Sequence, residues 1–151
     1  CQDGLSILVL DDSFLRQKLT TELAAEFGLR VVHEFASNEA NAVVCCRFSW
    51  WLDNQSVLPN PVQLIIGLLP FATLDSPITA ARVNAMRRKG GDWFRDLLLP
   101  DALGILTQAV EPIRKSNGRV AVLDGRFRRR SWGESFLRVL EPWNALHSLK
   151  P

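Results

Sequence analysis

The chain has 151 residues, of which 47% are hydrophobic and 23% are charged, the ordinary balance of a globular domain. No apolar run reaches the roughly 18 residues that a membrane span requires, so we expect no membrane span and no membrane partner. The net charge is +2, but residues 82–130 hold 12 of the 18 basic residues and 5 of the acidic ones, a local charge of +7, which indicates an anionic partner such as nucleic acid.

The first half of the chain predicts strands, one helix and an aromatic segment. Short apolar runs rich in branched residues predict strands over 5–10, 29–33 and 42–46. Apolar residues at helical spacing predict a helix over 14–27 that Gly28 ends. The two carboxylates in 11–13 favour an N-cap for this helix over a metal site. The aromatic segment 48–52 is predicted to be extended.

The second half predicts two strands and four helices. The strands are expected over 62–69 and 119–124, and the helices over 78–89, 92–98, 100–116 and 131–143. Pro77 suits the first turn of the first of these helices, and Pro112 must kink or break the third. Ser131, with Glu134 three residues on, is predicted to cap the last helix.

This alternation predicts one α/β domain over residues 1–151, because most of the strands are apolar on both faces. Such strands form a mostly parallel sheet with helices on both sides. Ligands of these sheets bind beyond the C-terminal ends of the strands. Candidate site residues are therefore expected in 11–13, 46–53, 70–75 and 124–130.

Since the sequence lacks an initiator Met, we expect it to be a piece of a longer chain.

The cysteines and histidines indicate neither a disulfide framework nor a metal centre. Cys45 and Cys46 are adjacent in an apolar stretch, which favours a reduced, cytoplasmic protein. Zinc needs about four ligands, and His33 and His147 are far apart, so we predict no metal site. No G-x-S-x-G elbow and no G-x-G-x-x-G turn occurs, which argues against a serine hydrolase and a nicotinamide enzyme.

Several segments between residues 62 and 126 follow one another in a distinctive order. They are LIIGLLPFATLDSP at 64–77 with Ala81-Arg82 behind it, DWF at 92–94, LPDA at 99–102, Gln108 with Ile113-Arg114, and VAVLDGR at 120–126. They resemble the LPF-x-x-x-x-x-P block, the F-x-x-x-x-x-P-x-A segment, the Q-x-x-G-R-x-I-R frame of motif VI and the closing D-x-R strand of DinG/XPD-type superfamily 2 DNA helicases. The resemblance implies the second, RecA-like (P-loop NTPase-like) α/β domain of such a helicase.

The same resemblance implies a function and a set of partners. The domain would be the C-terminal motor lobe of an ATP-dependent DNA helicase, with single-stranded DNA and the N-terminal helicase lobe of the same protein as its partners. ATP with Mg²⁺ would be held mainly by that N-terminal lobe, because no G-x-x-x-x-G-K-[ST] P-loop occurs here. No cofactor is expected on the isolated domain. Gln108 and Arg114 are the candidate catalytic residues, and Asp53 is the candidate nucleotide-binding residue.

Two segments depart from the family's pattern. WWLD at 50–53 stands where the family has W-E-G-x-D, and Glu111-Pro112 stands where motif VI has Gly-Arg. The Arg that resembles an arginine finger is therefore absent, and such a finger is worth about 10³–10⁵ in rate in related motors. The alternative is a catalytically degenerate RecA-like binding or interaction domain without ATPase activity.

Two groups of residues are candidates for nucleic-acid binding. Four arginines follow the last predicted strand: Arg126, Arg128, Arg129 and Arg130. They form either a solvated loop or a set of phosphate contacts, since guanidinium groups match phosphate oxygens. Trp50 and Trp51 either stack on unpaired bases or pack in the core. An extended segment would leave one of these two rings outside.

Overall fold

A computed structural model describes residues 4–141 of the chain. Within these residues, five parallel strands form one sheet in the order β2-β3-β1-β4-β5. The strands are β1 (Ser6–Val9), β2 (Val31–His33), β3 (Val43–Cys46), β4 (Gln63–Ile66) and β5 (Arg119–Val122). Each lies inside a segment predicted to be a strand, so the predicted parallel sheet is confirmed.

Helices connect the strands. They are α1 (Ser13–Phe27), α2 (Phe48–Asn54), α3 (Pro77–Arg88), α4 (Leu99–Lys115), α5 (Arg126–Arg129) and α6 (Gly133–Val139). A π-helical turn at Phe94–Leu98 precedes α4. The Asp12 carboxylate accepts a hydrogen bond from the Leu15 N–H at 2.8 Å, and Gly28 ends α1 with φ 73°, so the predicted N-cap and helix end are confirmed. No helix among residues 4–141 is long and apolar enough to cross a membrane.

The sheet lies between two layers of helices. On one face, Ile7 and Val9 of the central strand belong to the main core, which also contains Trp51 of α2, Leu106 of α4 and Phe136 of α6. On the other face, side chains of β1 and β3 pack against the apolar residues of α1; this smaller cluster contains Leu8, Leu10, Cys45, Leu15, Leu19 and Leu23. Alternating side chains of each strand thus serve both layers, and the α/β arrangement with helices on both faces is confirmed.

Segment 48–52 is helical, so the prediction of an extended segment is wrong. Phe48 and Trp51 lie three residues apart in α2, and their exposed fractions are 2% and 0%. Residues at this spacing share one face of a helix. A helix can therefore bury both rings in the main core, whereas a strand would have turned them to opposite faces.

Helix α4 continues through Pro112, so of the predicted kink or break the break does not occur. A proline inside a helix has no N–H for the carbonyl four residues earlier, which here belongs to Gln108. That carbonyl instead accepts a hydrogen bond from Gln55 Nε2 at 2.9 Å. Gln55 follows α2 directly, so a side chain of the neighbouring helix supplies the donor that the proline lacks.

The last helix begins two residues later than predicted. Helix α6 starts at Gly133, and Trp132 at its N-cap makes no side-chain capping bond, so the capping role predicted for Ser131 and Glu134 is wrong. A Cβ at position 133 would collide with the Phe127 carbonyl oxygen. The close approach of the two chain segments therefore requires Gly133 at the first residue of α6. Residues 142 and 143 of the predicted helix lie outside the described residues.

Candidate nucleic-acid interface

The ends of β4 and β5 are joined by one buried carboxylate. Asp124 is 5% exposed, and its Oδ2 accepts a hydrogen bond from the Leu69 N–H at 3.1 Å. The Arg126 guanidinium pairs with the same oxygen at 2.7 Å and lies 5.6 Å from the centre of the Phe71 ring. The segments that resemble the LPF block and the D-x-R strand, about fifty residues apart in the chain, therefore meet at the C-terminal edge of the sheet.

The charge on Asp124 is stabilised in place. Burial by itself raises the pKa of this carboxyl, but the Arg126 guanidinium and the N–H groups of Leu69 and Arg126 donate to it, and the pKa is lowered overall. A carboxylate that accepts several hydrogen bonds favours its ionised form. Asp124 is therefore an anchor that holds Arg126 and the end of β4, and Arg126 is largely committed to this pair.

The rest of the arginine run is differently placed. Arg128 and Arg129 belong to the single turn of α5 and Arg130 follows it; all three are exposed. Among residues 4–141, no ion pair or side-chain hydrogen bond engages these three guanidinium groups. Except for Arg130, the run therefore lies in one helical turn and not in the loop considered from the sequence. The structure thus separates Arg126, which holds the edge together, from three arginines that face solvent beyond the end of β5.

The two tryptophans of α2 have different environments. Trp51 is 0% exposed, and its indole N–H donates to the Ala109 carbonyl on α4 at 2.9 Å. This burial leaves no face of the Trp51 ring for a base, so the structure contradicts a stacking role for it. Trp50 is half-buried and packs against the main core. Trp50 is therefore the only one of the pair with surface left to offer.

The candidate catalytic and nucleotide-binding residues lie on two neighbouring helices. Asp53 is exposed near the end of α2, and Gln108 is exposed on α4. The hydrogen bond from the Gln55 side chain to the Gln108 carbonyl links the end of α2 to α4. Sequence reasoning missed Gln55, although Pro112 was the available signal, because a proline in a helix predicts a carbonyl four residues earlier that needs another donor.

The guanidinium of Arg114 is engaged within the domain. It donates to the backbone carbonyls of Val139 and Glu141, which lie at the C-terminal end of α6, where a helix leaves carbonyls without partners. Arg114 therefore links the end of α4 to the end of α6. In the next turn, the Ser116 hydroxyl donates to the Pro61 carbonyl at 2.6 Å, which places this end of α4 beside the start of β4.

The arginine run and the motif VI arginine consequently lie at opposite edges of the sheet, whereas Trp50 and Asp53 share α2. The first turn of α4, at Leu99, is near the C-terminal ends of β4 and β5, whereas Arg114 is near their starts. Arg128, Arg129 and Arg130 are at the C-terminal edge, and Gln108 and Arg114 are not near them. The domain therefore offers two separate surfaces, one basic and one carrying the motif VI residues.

Comparison with known proteins agrees with these landmarks. The helicase C-terminal domain family matches residues 59–143. The ATP-dependent DNA helicase YoaA of Haemophilus influenzae is 34% identical over 106 residues, 68% of this chain and 16% of the relative. YoaA of Escherichia coli is 34% identical over 117 residues, 75% of this chain and 18% of the relative. The ATP-dependent helicase DinG of Mycobacterium tuberculosis is 27% identical over 134 residues, 85% of this chain and 20% of the relative.

The chain spans no more than a fifth of the length of these relatives. The matched family region contains the LPF block, the motif VI frame and the D-x-R strand. These are the segments that carry the resemblance to DinG/XPD-type helicases. The five-stranded parallel sheet with helices on both faces has the RecA-like α/β architecture that the resemblance implied. The chain belongs to the helicase C-terminal domain family, in its DinG/XPD-type branch.

Proposed function

We propose that this chain is the C-terminal motor lobe of an ATP-dependent DNA helicase, and that it contributes a single-stranded DNA contact through Arg128, Arg129 and Arg130. The observation that supports this most directly is the exposed arginine run at the C-terminal edge of a sheet in a helicase-family domain. Exposed guanidinium groups without acidic partners are suited to phosphate oxygens. Trp50, half-buried beside the same edge, is the candidate for a stacking contact.

The motif VI surface would contribute to ATP hydrolysis. Asp53, Gln108 and Arg114 would face an N-terminal lobe of the same protein, which would hold ATP with Mg²⁺. The described residues could supply only the second lobe's side of such a site, because the chain carries no P-loop to hold the β- and γ-phosphates. Relatives named as ATP-dependent DNA helicases support this assignment.

One observation favours a second candidate function, a RecA-like DNA-binding domain without ATPase activity. Pro112 is buried where the family's pattern has Arg, and Arg114, the nearest arginine in the motif, bonds to two carbonyls of its own domain. A guanidinium that stabilises a phosphoryl group must reach it. In this alternative the basic surface is retained and the inter-lobe site is inactive, so both candidates make the same prediction for DNA.

The DNA contact can be tested by the salt dependence of binding. Changing Arg128→Gln together with Arg129→Gln should weaken binding to every single-stranded sequence alike. It should also make the slope of log affinity against log salt shallower by about 1.4, because each phosphate contact on a single strand contributes about 0.7. Stability should change by no more than about 0.5 kcal/mol per substitution, since both side chains are exposed. Fluorescence anisotropy at several salt concentrations measures both quantities.

A matched control is the double variant Lys18→Gln with Arg30→Gln. It removes the same charge from the α1 side of the sheet, outside the basic window. If the control changes the slope as much as the arginine pair does, the affinity reflects only total charge, and the proposed contact is wrong.

A further inference from the structure

A cleft of about 660 Å³ opens at the C-terminal edge, next to the arginine run. We call it the aromatic cleft; its walls include Phe71, Trp93, Phe94, Trp132, Arg95 and Arg130. Its volume lies within the range of about 300–1,000 Å³ that is usual for small-molecule sites. The sequence predictions did not include the cleft, because its rings come from segments separated in the chain by up to about sixty residues.

The inner wall of the aromatic cleft is part of the folded core. The ring centres of Phe71 and Trp132 are 5.0 Å apart in an edge-to-face arrangement, and both rings contact the buried Phe136 at 5.6 and 5.4 Å. Edge-to-face packing of this kind adds stability beyond the area that it buries. Phe71 and Trp132 are therefore held rigidly, as the fixed side of a binding site must be.

The outer wall does not belong to the core. Trp93 and Phe94 are half-buried, lie outside both hydrophobic clusters of the described residues, and have ring centres 6.4 Å apart. Phe94 reaches the inner wall, 5.6 Å from Phe71. Arg87 of α3 lies 5.3 Å from the centre of the Trp93 ring. The outer rings thus offer aromatic surface that the core does not use.

The charged groups of the aromatic cleft are all cationic. Arg95, Arg126 and Arg130 line it, and no acidic side chain does so among residues 4–141. Arg126 is neutralised by Asp124, and Arg95 has only a loose, exposed pairing with Asp92 at 3.8 Å. Arg130 has no acidic partner in this part of the chain. The fitting ligand therefore carries a flat aromatic group together with a negative charge.

We infer that the aromatic cleft holds one unstacked base of a bound single strand, with the adjoining phosphate on Arg130. The inference rests on the proposed DNA contact, because Arg130 is both the last member of the arginine run and a wall of the cleft. A strand that crosses Arg128 and Arg129 is thereby led to the aromatic rings. Stacking of this kind tolerates any base, since every base has a π-face.

The test compares two strands of equal length, a thymidine homo-oligonucleotide and a strand of the same phosphates and sugars in which every base is missing. The wild-type chain should bind the base-bearing strand more tightly, by about 5- to 150-fold if one base is stacked. Trp93→Leu should remove most of this preference while leaving affinity for the abasic strand unchanged. Arg130→Gln should instead weaken binding to both strands, because it removes a phosphate contact.

Two further variants keep the experiment decisive. Phe94→Leu should act like Trp93→Leu, and it replaces that variant if thermal unfolding shows that Trp93→Leu is not folded. Phe35→Leu removes an aromatic side chain that is 62% exposed and follows β2, at the opposite end of the sheet from β5, and it should leave the preference as in the wild type. Equal binding of both strands by the wild-type chain would overturn the inference, as would a preference that survives both outer-wall variants.

The failure of this inference is distinguishable from failure of the proposed function. If the chain binds the base-bearing and abasic strands equally, and the arginine-pair variant still makes the salt slope shallower, the DNA contact stands and the base site is wrong. If the chain binds neither strand, both are wrong.

Discussion

Asp124 organises the C-terminal edge of the sheet from a buried position. Its carboxylate is 5% exposed and joins the backbone of Leu69 to the guanidinium of Arg126. A buried charge is tolerated only when it is paired and hydrogen-bonded, and here both conditions hold. Because Arg126 is the first residue of α5, its pairing with Asp124 also fixes the position of the arginines that follow it. The order Asp-x-Arg in the sequence therefore has a structural explanation that does not require contact with DNA.

Replacing Asp124→Asn should destabilise the domain at neutral pH, on the order of 1–3 kcal/mol, because the buried pair with Arg126 loses its charge. The pKa of Asp124 is lower in the folded protein than in an unfolded chain, so its contribution is complete above the unfolded pKa, near 4, and declines as the pH falls through the folded value. The stability difference between wild type and variant should therefore shrink in acid. Urea unfolding at pH 7 and at successively lower pH measures it.

Asp101→Asn is a suitable control for that experiment, since the ion pair between Asp101 and Arg82 is exposed on both sides, at 44% and 50%, and should matter little. A difference for Asp124→Asn that stays constant, or grows, as the pH falls would contradict the proposed ionised anchor.

The individual elements differ in how far the sequence could predict them. The five strands and helices α1, α3 and α4 are marked by apolar runs, helical spacing and Gly or Pro at their ends, and these signals are local. Helix α2 was missed although Phe48, Trp51 and Leu52 have the i, i+3, i+4 spacing of a helix, because the element is only seven residues long and the adjacent aromatic residues obscure that spacing. Helix α5 was missed because a single turn of exposed arginines has no apolar face. The first residue of α6 is a glycine because Phe127 approaches it closely, and a contact of this kind between segments is not visible in a local pattern.

The docking of α2 onto α4 gives a prediction for Trp51. The Trp51 ring is fully buried and its N–H bonds to Ala109, so Trp51→Ala should lower the free energy of unfolding by about 3–5 kcal/mol. Affinity of the remaining folded protein for single-stranded DNA should be unchanged. Trp50→Ala, at the half-buried neighbour, should cost less stability, and it is the variant of the two that can reduce DNA affinity. Chemical unfolding and anisotropy on the same samples separate the two effects.

The assignment of Trp51 to the core would be refuted by a Trp51→Ala protein that unfolds like the wild type and binds DNA more weakly.

The site as a whole was harder to predict than the fold. Sequence reasoning named the arginine run, but it could not distinguish Arg126 from Arg128, Arg129 and Arg130. That distinction depends on the position of Asp124 against the backbone of Leu69, which is a consequence of the sheet order.

At the scale of the whole molecule, the chain separates two surfaces. The basic run and the aromatic cleft lie where β4 and β5 end, and Gln108 and Arg114 lie along α4 toward the starts of these strands. A sheet between two helical layers keeps these surfaces at a fixed separation. In a motor of two such lobes, movement of the motif VI surface against a partner lobe would carry the DNA surface with it. The proposed function needs this rigid coupling.

We expect the isolated chain to have no ATPase activity, with or without single-stranded DNA. The lobe has no P-loop for the β- and γ-phosphates, and Arg114, its remaining motif VI arginine, donates to the backbone carbonyls of Val139 and Glu141. Phosphate release should therefore remain at the rate of a protein-free control across the DNA concentrations at which anisotropy shows binding. Arg114→Ala should not alter that background, but it should loosen the end of α6, because two carbonyls lose their donor. A turnover that persists through repurification and increases in proportion to this chain would show that the lobe holds and hydrolyses ATP by itself, and the division of labour proposed for the two lobes would then be wrong.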